Sequence, residues 1–212
     1  MDARRDSEVQ VAVFAKAPVP GEVKTRLVPL LGARDAAELH ALLVRHAIAN
    51  ARNSGVGPVS LWCMPDTGHP FFAACAGESG VTLHEQRGGH LGERMARAFQ
   101  HLLAAGPVLL TGSDCPSLRA DDLRAAAAEL AGHDAVFQPA EDGGYVLVGL
   151  ARPVPGIFEG IRWGEASVMR DTRERLRAAG ATWREMPERW DVDRPEDYRR
   201  LLASGLLAQE AR

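Results

Sequence analysis

The sequence predicts an α/β layered fold built on a largely parallel sheet. Short apolar runs bounded by glycine, proline and aspartate alternate with longer stretches of helical periodicity along nearly the whole chain. The run Pro107-Val-Leu-Leu-Thr111 is apolar throughout, as a strand covered by helices on both faces should be. The chain has 212 residues, 46% hydrophobic and 25% charged, which is ordinary for a globular protein and enough to bury a core within one domain.

The first strand is read at residues 9–15. It breaks at Ala17-Pro18 into a loop with two prolines and Gly21, and a helical pattern with Leu39, Leu42, Leu43 and Ala47 follows over residues 34–52. The turn cluster Asn53-Ser-Gly-Val-Gly-Pro58 leads to a second strand, Val59-Ser-Leu-Trp-Cys-Met64. A short helix carries Phe71, Phe72 and Cys75, and a third strand is expected at residues 81–84. The polar loop Glu85-Gln-Arg-Gly-Gly-His90 then opens a helix with Leu91, Met95, Ala98, Phe99 and Leu102 on one face, a core pattern. After the fourth strand comes Gly112-Ser-Asp-Cys-Pro116 and an alanine-rich helix running to Ala131. Strands follow at residues 135–138 and 145–150, with the loop Pro139 to Gly143 between them. Residues 151–164 read as irregular around Phe158 and Trp163. A helix over 166–179, a short strand at 181–184 and a last helix over 195–202 complete the chain.

A net charge of −3 argues against a general nucleic-acid or membrane-surface binder, while leaving room for a local basic pocket. Cys63, Cys75 and Cys115 have no paired spacing, so neither a disulfide framework nor a structural zinc site is expected. The polar start, Met1-Asp-Ala-Arg-Arg-Asp-Ser-Glu8, has no signal-peptide core, and no apolar run is long enough to span a bilayer. A cytoplasmic protein is expected.

Ligands of open α/β sheets sit at the carboxyl ends of the strands, and the charged features fall there. The loop after the first strand delivers Lys16, Lys24 and Arg26 together with free backbone N–H groups, a seat for phosphate. An ordinary turn with solvated lysines is the alternative. The glycine spacing and the closing Gly-Lys-Ser/Thr of a P-loop are absent. Asp114 follows the fourth strand, Asp142 lies in Glu-Asp-Gly-Gly-Tyr145, and Asp191-Val-Asp193 precedes the last helix. Carboxylates and phosphate oxygens are hard ligands suited to Mg²⁺ or Mn²⁺. The competing reading makes Asp114 and Asp193 N-caps of the helices that follow them.

Four segments in order, Phe14-Ala-Lys-Ala-Pro-Val-Pro-Gly-Glu-Val-Lys-Thr-Arg-Leu27, Gly112-Ser-Asp-Cys-Pro-Ser-Leu118, Asp142-Gly-Gly-Tyr145 and Asp191-Val-Asp-Arg-Pro-Glu-Asp197, resemble the DUF2064 family over about residues 9–203. That family is related to 2-phospholactate guanylyltransferases and molybdenum-cofactor guanylyltransferases. The resemblance implies a Rossmann-like glycosyltransferase-A, or nucleotide-diphospho-sugar transferase, fold. It implies that the first loop, from Ala15 and Lys16 through Gly21 to Lys24 and Arg26, lies against a nucleotide with Gln86, Gly112 and the segment Gln86-Arg-Gly-Gly-His-Leu-Gly-Glu-Arg-Met95. It places a divalent metal on Asp114 and Asp193, and the acceptor near Asp142, Gly143, Gly144, Tyr145 and Trp163. The chain departs from the family pattern at His90, where Asp is usual, and at Trp163-Gly-Glu165, where Trp-Ser-Thr is usual.

The leading reading is nucleotidyl transfer from a nucleoside triphosphate to a phosphate-bearing or similar small acceptor, releasing pyrophosphate. Lys24, Arg26 and Asp142 would act on the reacting groups. Glycosyl transfer from a nucleotide sugar is the alternative, weakened because Gly-Ser-Asp-Cys offers only one carboxylate where an Asp-x-Asp is usual. A nucleotide-binding protein without turnover is a third reading.

Overall fold

The computed structural model describes residues 8–206, so the expectations for the polar start through Ser7 lie outside the described residues. Seven strands form one mixed sheet: β1 (Gln10–Lys16), β2 (Val59–Met64), β3 (Thr82–Glu85), β4 (Val108–Thr111), β5 (Ala135–Pro139), β6 (Tyr145–Leu150) and β7 (Trp183–Glu185). Their order is β3-β2-β1-β4-β6-β5-β7. Every neighbouring pair is parallel except the two that involve β6, which runs antiparallel to β4 and β5. The expected α/β architecture with a mostly parallel sheet is what the chain adopts.

The helices are α1 (Val28–Leu31), α2 (Ala33–Asn53), α3 (Pro70–Ser79), α4 (Leu91–Leu102), α5 (Ala120–Glu129), α6 (Val168–Ala178) and α7 (Pro195–Ser204). The strand period of two sorts the core between them. From β1, Val11, Val13 and Ala15 pack with Val44 and Ile48 of α2, Phe72 of α3 and Leu123 of α5. Ala12 and Phe14 point the other way, onto Met95 and Phe99 of α4 and Met169 and Leu176 of α6. Helices therefore cover both faces, which explains why β1 and β4 are apolar along their length.

A third cluster fixes the site. Leu27, Ala36, Leu39 and Leu43 pack with Trp190, Val192 and Leu201, pinning the segment before α7 against the start of α2. The guanidinium of Arg200 lies 4.4 Å from the Trp190 ring centroid and pairs with Glu141 at 2.7 Å, tying α7 to the loop between β5 and β6. Strand order reverses where β1 leads to β2 on one side and stands beside β4 on the other. A crevice opens outside the carboxyl ends at such a switch point. No helix among the described residues is long and apolar enough to cross a membrane.

Candidate functional site

The crevice at the ends of β1 and β4 holds two adjoining cavities that share Phe14, Leu91 and Gly112 as a common wall. The first, of about 520 Å³, is bounded by Ala15 and Lys16 at the exit of β1, Glu22 to Arg26 of the loop, His40, Gln86, Arg94, Ser113, Asp114 and Asp193. That volume falls in the usual range for small-molecule sites. The second, of about 240 Å³, is bounded by Met95, Leu110, Asp142, Gly144, Tyr145, Val146, Val148, Trp163, Glu165, Val168 and Asp191, among others.

Lys24 is the knot between chain segments. It is the only non-glycine with positive φ among the described residues (φ 48), a conformation that costs an L-residue free energy and needs compensation. Its buried ammonium donates to the Val192 carbonyl at 2.5 Å and pairs with Asp114 Oδ1 at 2.7 Å. The Val192 N–H donates in turn to the Asp114 carbonyl at 2.8 Å. The first loop, the exit of β4 and the segment before α7 are thus tied at one point. Lys24 also lines the first cavity, with its charge engaged by Asp114 and the Val192 carbonyl. Burial would raise the Asp114 carboxyl, but the Lys24 ammonium and the nearby His40 ring outweigh it and hold Asp114 well below the usual carboxylate range. The Asp114 side chain is nonetheless 49% exposed although Oδ1 is buried, so its other edge faces the cleft.

Neither aspartate is a helix cap. Helix α5 starts six residues after Asp114, and its Arg119 N–H donates to Asp122 at 2.9 Å. At α7 the capping carboxylate is Asp197, which accepts from Asp193 N–H and Arg194 N–H. The Asp193 carboxylate pairs with Arg26. Asp191, two residues earlier, faces the second cavity instead. Burial, then the charges of Asp142 and Asp114, push its carboxyl up to about 6, the mark of carboxylates crowded together.

Of the other expected residues, Gly112, Gly144, Tyr145 and Trp163 lie on cavity walls, whereas Gly21 and Gly143 do not. Gly143 serves the turn: it sits at φ 88, and a Cβ there would stand 2.3 Å from the Ala166 carbonyl oxygen. Gln86 is a strut, its amide donating to the Ala15 and Trp62 carbonyls at 3.2 and 2.8 Å. His90 keeps a cap: its Nδ1 accepts from Glu93 N–H at 3.3 Å, a function that Asp could also perform. Trp163 packs against Tyr145 and Phe158, and Gly92 makes room for it, since a Cβ there would lie 2.6 Å from Trp163 Nε1.

Three site residues take places that the sequence did not single out for them. His40 lies on the buried face of α2 beside Ala36, Leu39 and Leu43; it spans the Lys16 carbonyl, 3.1 Å from Nε2, and Asp114 Oδ1, 3.7 Å from Nδ1. A polar residue on an apolar helical stripe was the available signal. Arg94 lines the first cavity, its buried Nε has no hydrogen-bond partner and it has no ion pair among the described residues; burial lowers its pKa. Asp191 was quoted only as a neighbour of Asp193.

Among the described residues, no group of three His, Cys, Asp or Glu side chains stands close enough to hold a metal by itself. The donor set fits a cation arriving with its own oxygen ligands. Mg²⁺ typically takes one or two protein carboxylates, and phosphates and water supply the rest.

A family model described as "Uncharacterized protein conserved in bacteria (DUF2064)" matches residues 47–165, more than half of the chain. A solved structure from Desulfovibrio desulfuricans G20, provisionally assigned as a nucleotide-diphospho-sugar transferase, is 31% identical over 96% of this chain and 98% of its own, with a TM-score of 0.82. A nucleotidyl transferase from Methanothermobacter thermautotroptrophicus shares the fold (TM-score 0.63, 14% identity, 95% and 99% coverage). So does a Mycobacterium tuberculosis H37Rv protein solved with manganese (TM-score 0.55, 20% identity, 92% and 99% coverage). No curated protein matches the chain.

Proposed function

We propose that this chain, which belongs to the DUF2064 family, transfers a nucleotidyl group from a nucleoside triphosphate to a small acceptor and releases pyrophosphate. The observation that carries the reading is Arg94. A half-buried guanidinium without a carboxylate partner is costly unless an anion meets it, and it opens on the same cavity as Lys16 and Arg26. A nucleotidyl transferase and a manganese-bound protein stand among the structures that share the fold, which agrees with this chemistry.

Arg94 and Arg26 hold phosphate oxygens with their planar forks, and Lys16 adds a point charge at the mouth. Lys24 keeps Asp114 ionised and fixes the three segments around the reacting phosphorus. Mg²⁺ or Mn²⁺, held by the cleft-facing edge of Asp114 and by Asp193, which both line the first cavity, would neutralise the phosphates and polarise the α-phosphorus.

In the transfer, a lone pair on the acceptor oxygen forms a bond to the α-phosphorus. The bond from that phosphorus to the bridging oxygen breaks, and its electron pair leaves with pyrophosphate. Asp142 takes the acceptor proton at Oδ2, since Oδ1 already accepts from Gly144 N–H at 2.9 Å. Positioning and charge neutralisation do most of the work.

The provisional assignment of the Desulfovibrio relative favours a second reading, glycosyl transfer from a nucleotide sugar whose diphosphate would use the same cations. Calorimetric titration of the four nucleoside triphosphates, with Mg²⁺ and with excess chelator, tests the first. Binding should weaken by more than about tenfold on chelation, and again in Arg94→Met. Equal affinities in all three conditions would remove this cleft as a triphosphate site.

A further inference from the structure

The charge of the crevice changes sign along its length. Lys16, Arg26 and Arg94 stand against the first cavity. Across the shared wall, the second cavity has no lysine, arginine or histidine among its described lining residues, and its charged groups are Asp142, Glu165 and Asp191. Glu165 is faced by Arg162 at 3.4 Å, which leaves Asp142 and Asp191 without an ion pair among the described residues. Lys24, whose charge reaches Asp191, is already bound to Asp114 and the Val192 carbonyl. The remaining wall is apolar but for the neutral Tyr145 hydroxyl and Trp163 indole N–H, and the rings of Tyr145 and Trp163 meet edge to face, 6.3 Å apart at 89°.

We propose that the second cavity receives a small apolar-bodied alcohol, uncharged or carrying an ammonium group, and that Asp142 and Asp191 turn phosphate esters away. The proposal rests on reading the first cavity as the donor site, and it departs from the phosphate-bearing acceptor expected from the sequence. An anionic head would meet two carboxylates across low-dielectric walls, with no donor cation to offset the repulsion. A hydroxyl finds acceptors in the same carboxylates, and an ammonium finds opposite charge. The volume of about 240 Å³ lies below the usual range for drug-sized ligands, so the body is of the order of one ring or a short branched chain. The division also serves the reaction: the polyanionic donor and the acceptor are sorted by charge before they meet at Gly112.

The test is ligand-observed NMR titration of the full chain with three probes of one body: 2-phenylethanol, 2-amino-2-phenylethanol and 2-phenylethyl phosphate. Mg²⁺ is present throughout, so a cation resting on the carboxylates is part of the trial. Tripolyphosphate fills the first cavity, so the ester cannot report from there. The two alcohols should bind, with the ester at least about tenfold weaker. Asp142→Asn should narrow that gap to about threefold or less, and Val168→Phe, which fills the cavity, should abolish alcohol binding. An ester that binds as well as the alcohols, a gap unchanged in Asp142→Asn, or failure of all three probes to bind would overturn the proposal. Failure of tripolyphosphate to bind would instead count against the donor-site reading, and the order of the probes would still judge the acceptor class.

Discussion

Replacing Lys24 by Met keeps most of the aliphatic stem and removes the ammonium from the knot that joins the first loop, the exit of β4 and the segment before α7. Two bonds are lost, one to the Asp114 carboxylate and one to the Val192 carbonyl. Breaking a fully buried ion pair costs about 3–5 kcal/mol, and a surface pair is worth about 0–1 kcal/mol. Lys24 is 3% exposed but Asp114 is 49% exposed, so water screens one partner and the expectation is about 2 kcal/mol. For a chain of this length that corresponds to a fall in Tm of about 4–8 °C. The loss should depend on pH. Asp114 is held below its ordinary value in the folded protein, so the pair stabilises above that ordinary value and its contribution fades as pH falls toward the folded one. The gap between parent and Lys24→Met should therefore be full at pH 7 and shrink below about pH 4. Urea unfolding at both pH values measures it, and the double variant with Asp114→Asn should be less than additive. A Lys24→Met protein within about 0.5 kcal/mol of the parent at pH 7 would refute the claim that this lysine organises the site.

Asp134 accepts from Thr182 N–H and pairs with Arg152 at 2.5 Å; its carboxyl is lowered, first by the Arg152 bond. Asp134→Asn should cost about 1–2 kcal/mol at pH 7, a difference that disappears as acid titrates the parent's carboxylate, by urea unfolding. Burial pushes the Cys63 thiol up to about 12 and Cys115 up to about 11, and Cys75 is raised as well. A thiol reagent at pH 8 should label none of the three in the native protein and all three in denaturant, with fast native labelling contradicting their burial. Gly92→Ala should destabilise by about 1–3 kcal/mol despite the better helix propensity of alanine, because the new methyl meets Trp163 and the Phe158 carbonyl. Unchanged stability and tryptophan fluorescence would show that Trp163 does not depend on that approach.

The sheet was largely legible because its signals are local. The Val59–Met64 and Tyr145–Leu150 strands fall where apolar runs and flanking turns put them, and most other elements differ by one or two residues. The antiparallel course of β6 was not, since a buried strand has the same apolar pattern in either direction. In the site, Asp114 and Gly112 were visible as a turn after a buried strand. What Lys24 touches was not, because its partners lie 90 and 168 residues away in sequence and meet it only when the third core cluster docks α7. Asp191 and Asp193 illustrate the same limit: residues two apart in an irregular segment look equivalent in sequence, yet one turns to Arg26 and the other to Asp142. Arg94 sits one residue before the core position Met95, where helical periodicity expects solvent, and only the path of the first loop over it closes a cavity there.

Nucleotidyl transfer across the two cavities, from a triphosphate to a small acceptor, leaves two products that can be followed at once. Incubating the protein with each triphosphate, Mg²⁺ and a panel of small alcohols, and following pyrophosphate and product mass together, tests it most directly. Pyrophosphate release should be matched by an acceptor heavier by one nucleotidyl group, both falling by more than about tenfold in Arg94→Met. Free nucleoside diphosphate and a glycosylated product from a nucleotide sugar, with no pyrophosphate from any triphosphate, would contradict it.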